Sequence, residues 1–240
     1  MSFYSNKTVW ACCALTAGMM VSQSNYASIV MDGTRVIYQG NKNEVTVSLT
    51  NKNSRPVLVQ SWIDTGNEST SPEKISVPFV LTPPVNRVDP GKGQTLRISY
   101  TGVPALPADK ETVYWLNVLE VPAKDKNSVV SQQKLNVVFR TRIKLFYRPD
   151  GLMGNSNDAP DELHWHLSGQ KASVQNNSKY NITIFDISYK DKGVASESGG
   201  KMVAPGETQE FTLKNTGDIG SLSFSTINDY GALVQHKAKS

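Results

Sequence analysis

Apolar and polar residues alternate along most of this chain. Val45, Val47 and Leu49 are interleaved with Thr46, Ser48 and Thr50, and the stretch 57–63 keeps the same rhythm down to Ser61-Trp62-Ile63. Leu96-Arg97-Ile98-Ser99-Tyr100 and the segment 113–118 add runs rich in β-branched and aromatic residues, the types that suit a pleated surface. A half-buried strand repeats every two residues and a helix face about every 3.6; no stretch supplies the second rhythm convincingly. Turn-forming clusters at 51–53, 64–67, 89–91 and 104–109 punctuate the runs. Many short strands at this spacing predict a sandwich of the immunoglobulin kind.

The longest such signal covers 129–147. It holds the alternating set Leu135, Val137 and Phe139, then Thr141-Arg142-Ile143-Lys144-Leu145-Phe146-Tyr147. A strand of about 19 residues is far longer than the usual five or six, so it overhangs its own sheet, as an edge awaiting a partner or as an extended arm. Alternation alone leaves open whether Leu135, Val137 and Phe139 fill their own core or another molecule's groove. Pro149 stops the run, and 150–160 has the Gly, Asn, Asp and Pro content of a linker. Strand patterning resumes at 163–167, 172–175, 180–189, 210–213 and 222–227. The residues predict two β-sandwiches, 28–149 and 161–240, joined by 150–160.

The N-terminus departs from this pattern. Lys7 precedes an apolar run over 9–21, and the small residue Ala27 follows; this is the order of a secretory signal peptide, too short in its apolar part to cross a bilayer as an ordinary helix. The predicted signal is 1–27, with Ser28 the first mature residue, although Asn25 stands where a small residue is preferred. Both cysteines, Cys12 and Cys13, fall inside it, so the mature chain is expected to carry no disulfide and no thiolate metal site.

Composition narrows the function further. The net charge of +4 drops to +3 when Lys7 leaves, and no long cationic run suggests nucleic acid or a membrane surface. Of the three histidines, His164 and His166 lie two apart on a predicted strand without an accompanying carboxylate motif, and His236 stands alone; packing is preferred to a metal site. Gly91-Lys92-Gly93 follows Asp89-Pro90 and reads as a turn, not a phosphate loop. No nucleophile elbow or zinc-protease motif is present, so no enzyme, cofactor or metal is expected. Trp62, Trp115 and Trp165 all lie in strand-like text, where burial is expected and a carbohydrate-binding platform is not.

Several blocks, spread over nearly the whole mature chain, resemble the PapD-like periplasmic chaperones of the chaperone–usher pathway. They are Thr34-Arg35-Val36-Ile37-Tyr38; Leu81-Thr82-Pro83-Pro84-Val85-Asn86-Arg87-Val88-Asp89-Pro90-Gly91; Val113-Tyr114-Trp115-Leu116-Asn117-Val118 with Val121-Pro122 behind it; Arg142-Ile143-Lys144-Leu145-Phe146-Tyr147-Arg148-Pro149; and Ile227-Asn228-Asp229-Tyr230-Gly231. The resemblance implies an all-β fold of two immunoglobulin-like domains in an L-shaped arrangement. It implies a periplasmic protein that binds, folds and caps pilus or fimbrial subunits by donor-strand complementation and passes them to an outer-membrane usher. Leu135, Val137 and Phe139 would be the donor residues. Arg35 and Lys144 would anchor the subunit's C-terminal carboxylate, and Glu111, Arg148 and Asp229 would form an ion network that holds the hinge. The moderate distance from Val121 to Leu135, without flanking cysteines, fits the short-loop subclass. An uncovered apolar edge would also let the free protein cap itself by dimerising. The rival reading, a structural subunit or adhesin of a surface fibre, accords poorly with a cysteine-free mature chain carrying Arg35 and Lys144.

Overall fold

The structure, a computed structural model, describes residues 29–122, 138–189, 192–193, 200–214 and 218–240. The predicted signal 1–27, the positions Leu135 and Val137, and the opening part of the strand expected over 129–147 lie outside the described residues.

Two separate hydrophobic cores divide the chain. One is assembled from residues between Ile29 and Tyr147, the other from residues between Ala159 and Ala238. In the first sandwich, one sheet has the order β1 (Ile29–Met31), β3 (Val45–Asn51), β7 (Gly93–Tyr100), β5 (Phe79–Thr82). The other has the order β2 (Arg35–Gln39), β9 (Phe139–Arg148), β8 (Thr112–Pro122), β4 (Val57–Asp64), β6 (Val85–Val88). The second sandwich sets β10 (Leu163–Ser168), β11 (Lys171–Asn176) and β15 (Thr208–Thr212) against β13 (Lys192–Gly193), β12 (Ile182–Tyr189), β16 (Leu222–Ile227) and β17 (Leu233–Lys237). β14 (Lys201–Val203) also pairs with β12. Among the described residues, helix is confined to short 3-10 turns.

The alternation works as the pleat requires. Val57, Val59, Ser61 and Ile63 of β4 point into the first core, while Leu58, Gln60 and Trp62 point away. Trp115 lies on the same outer face, opposite Asp64 and Lys144. The burial expected of Trp62, Trp115 and Trp165 therefore holds only for Trp165, which packs on Phe224 and Phe211. Trp62 and Trp115 are half-buried, because their parity sends them outward.

The chain changes sheets between β1 and β2. β1 pairs with β3, whereas β2 lies parallel to β9. β2 covers β9 only from Lys144 to Arg148. Upstream of Lys144, β9 is paired with β8, from Glu120↔Phe139 to Leu116↔Ile143. Along 139–143 the opposite edge of β9 carries no strand among the described residues.

Candidate functional site

The end of this β2–β9 pairing faces the second domain. Val36 and Tyr38 of β2, and Ile143, Leu145 and Tyr147 of β9, point into the first core. The alternate positions Arg35, Lys144 and Arg148 therefore project from the outer face, where the second domain docks. Arg35 Nη1 donates to the carbonyl of Ile227 at 2.9 Å, and Lys144 Nζ donates to Thr183 Oγ1 at 3.0 Å. Arg35 lies 5.9 Å from the Phe146 ring centroid and Lys144 5.5 Å from that of Trp115. A cavity of about 330 Å³ opens beside Arg35, lined also by Phe146, Ile182, Ile227, Tyr230 and His236.

Arg35 and Lys144 are register partners across the parallel ladder. Burial, reinforced by the neighbouring Arg35 charge, pulls the Lys144 ammonium down to about 8. Burial likewise lowers Arg35, partly offset by Asp229 and Glu111. Among the described residues no carboxylate forms a salt bridge with either cation, and Arg35 Nε is buried without a hydrogen-bond partner. The two cations are thus adjacent, partly desolvated and held by no salt bridge among the described residues, an arrangement chemically suited to charge-assisted hydrogen bonds with an added carboxylate.

Arg148, four residues beyond Lys144, bridges the domains. Its Nε and Nη2 donate to Glu111 Oε1 at 3.0 and 2.8 Å, and its Nη1 and Nη2 donate to Asp229 at 2.8 and 3.1 Å. Glu111 Oε2 accepts from the backbone and side-chain amides of Asn181, and Asp229 also accepts from Ser156 Oγ. Burial pushes the Glu111 carboxyl above its ordinary value despite the Arg148 pair. Asp229 goes the other way: burial would raise it, but Arg148 and Ser156 hold it below the usual carboxylate range.

Phe139 stands at the far end of β9, five positions or about 17 Å from Lys144. It shares the parity of Ile143 and Leu145 yet lies beyond the core, 59% exposed. The structure thus brings Arg35 to Lys144, and Glu111 to Arg148 and Asp229, with Phe139 apart from both groups. His164 and His166 are exposed on β10, while His236 stacks on Phe224 and shares a hydrogen bond with Thr226.

One cluster was not anticipated. On the outer face of the β4–β8–β9 sheet, Asp64, Asn117, Arg140 and Arg142 form a compact polar network over Trp62 and Trp115. Asp64, expected in a turn, is the last residue of β4 and accepts from the Gly66 amide of the turn that follows. The available signal was the run of cations at alternate positions, Arg140, Arg142 and Lys144, which puts all three on one face.

Comparison with known proteins agrees with this architecture. Residues 28–153 match the profile described as "Pili and flagellar-assembly chaperone, PapD N-terminal domain", and residues 158–238 that of "Pili assembly chaperone PapD, C-terminal domain". The chain is 42% identical to the probable fimbrial chaperone YadV of Escherichia coli strain K12 over 99% of both sequences. The crystal structure of YadV superimposes with a TM-score of 0.71 at 40% identity, covering 87% of this chain and 98% of that one. The SafB chaperone, solved in complex with the SafA pilin of Salmonella enterica, gives 0.75 at 27% identity, with 88% and 96% covered. Fold and cleft together define a fimbrial chaperone. The chain belongs to the PapD family of pilus-assembly chaperones.

Proposed function

We propose that this protein works in the periplasm, where it holds a pilus or fimbrial subunit by lending it the exposed edge of β9 and delivers it to an outer-membrane usher. One observation carries the reading: among the described residues the edge of β9 is open along 139–143 and closes where Arg35 and Lys144 stand side by side. An incoming strand completes the ladder by β-augmentation, and its terminal carboxylate meets the two cations by charge-assisted hydrogen bonds. With its end fixed there, the strand's register follows.

Phe139, together with Leu135 and Val137, supplies the apolar side chains. Each fully buried one stabilises by roughly 1.5–3 kcal/mol before ordering costs. Arg148, tied to Glu111 and Asp229, keeps the two walls of the cleft at a fixed angle. In the absence of a subunit, the same edge is available to a second copy of the chain.

The test is affinity purification of the tagged protein from a periplasmic extract, with mass spectrometry of what accompanies it, for wild type and Lys144→Ala. A pilus subunit is expected with wild type and is largely lost from the variant. Recovery at equal yield from a folded Lys144→Ala protein rules out the anchor.

A further inference from the structure

The open half of β9 has little of its own to hold it in place. Phe139, Arg140 and Thr141 are exposed, and burial begins at Ile143. Its backbone is paired on the β8 side only, among the described residues. A strand end with one ladder and few buried apolar contacts opens readily, yet a strand meant to template another must stay extended.

Side chains on the outer face meet that need. Arg140 and Arg142 reach over β8 to Asp64 on β4, whose side chain is only 2% exposed. Asp64 Oδ1 accepts from Arg142 Nη2 at 2.7 Å and from the Gly66 amide at 2.7 Å. Its Oδ2 accepts from Asn117 Nδ2 at 2.8 Å and from Arg140 Nη2 at 3.4 Å. Asn117 Oδ1 in turn accepts from Arg140 Nε and Nη2 at 2.9 and 2.7 Å. The guanidinium groups lie 5.0 Å from the Trp62 ring centroid and 4.1 Å from that of Trp115. Arg140 and Arg142 also donate to the Glu68 carbonyl and to Glu68 Oε1, both at 2.9 Å, so the open segment is tied to β8, to β4 and to the exposed Glu68 beyond β4, with Asp64 the buried carboxylate of the set.

We infer that Asp64 is a positioning residue for subunit capture: through Arg140 and Arg142 it holds segment 139–143 extended against β8, ready to pair. The inference rests on the donor-edge reading above. A buried carboxylate is a poor investment in stability alone, since desolvation offsets much of the attraction; its return here is geometric. In agreement, burial would raise the Asp64 carboxyl, but Arg142, Gly66 and Asn117 hold it below its ordinary value.

The experiment is hydrogen–deuterium exchange of the full chain carrying Asp64→Asn, which preserves shape and removes the charge. Amides of 139–143 that pair with β8 are expected to exchange about tenfold faster or more, while those of β7 are unchanged. Subunit association, measured beside it, slows with the loosened edge. Unchanged exchange at 139–143, or an equal rise in β7, overturns the proposal, the second result marking a general stability role. If Asp64→Asn fails to fold, Arg140→Gln decides: faster exchange confined to 139–141 supports the proposal and unchanged exchange there overturns it. The exchange readout requires no subunit. A wild-type chain that captures none therefore sinks the donor-edge reading by itself, separately from the outcome for Asp64.

Discussion

Arg35 and Lys144 occupy opposed positions on two parallel strands, and each is tethered to the second domain, Arg35 through the Ile227 carbonyl and Lys144 through the Thr183 hydroxyl. Keeping two like charges together and half out of water costs the free protein stability. Lys144→Met is expected to raise the stability of the free protein by about 1–3 kcal/mol at pH 7 while abolishing most subunit capture. The sign follows from proton binding. With a folded value of about 8 against roughly 10.4 unfolded, the unfolded chain holds more protons between those values. The penalty is therefore complete below about 8 and fades as the pH rises, so the gain from methionine should shrink toward pH 10. Thermal denaturation across this range, with subunit pull-down alongside, checks both parts.

The same titration reaches the complex. A carboxylate bound beside Lys144 favours its charged form, so capture above about pH 8 is expected to take up a proton and to weaken by up to tenfold per pH unit. Calorimetry in two buffers of different ionisation enthalpy measures the uptake. Heats independent of buffer at pH 9 would place the carboxylate elsewhere.

Phe139 is expected to matter to the subunit and scarcely to the free fold. Phe139→Glu should cut subunit affinity by about 10- to 100-fold, the equivalent of one buried aromatic side chain. The denaturation midpoint of the free protein should hold, since the ring is mostly in water. A collapse of the midpoint would make the ring a core residue.

Arg148→Ala strands two carboxylates at the domain junction, Glu111 being almost wholly buried. Loss of one partner of a buried pair typically costs about 3–5 kcal/mol, and denaturant unfolding should show a loss of this order. Arg148→Lys should rescue only part, because an ammonium cannot reproduce the paired donation to Glu111 and Asp229.

Gly231, two residues beyond Asp229, has φ +82° and lies against Thr34, whose hydroxyl a Cβ would strike. Gly231→Ala is expected to cost about 1–2 kcal/mol in denaturant unfolding. It should also weaken subunit capture, because Thr34 precedes Arg35. Wild-type unfolding and capture would show that the junction yields freely.

Much of this architecture could be read from the pattern of residues. The segment 222–227 was expected as a strand and is β16, and 113–118 lies inside the longer β8. Elements with weak alternation escaped: β17 is exposed along most of its length and exists because β16 offers it a ladder, while β6 is four residues long with one buried side chain. Arg35 and Lys144 were singled out through resemblance. Their adjacency comes from a parallel pairing that joins residues over a hundred positions apart, and no local pattern encodes it. Asp64 does open a turn, through the Gly66 amide, but its cationic partners Arg140 and Arg142 stand 76 and 78 positions away, and no local pattern encodes that meeting.

The direction of β2 has a consequence for how firmly a guest is gripped. β2 runs parallel to β9 and begins at Arg35. On the proposed anchoring, a guest strand lying in the same line, its carboxyl end against Arg35 and Lys144, would run parallel to β9 as well. Parallel ladders are slightly weaker per residue than antiparallel ones, so a guest held this way would be gripped less firmly, residue for residue, than by a strand pairing with it in the opposite sense.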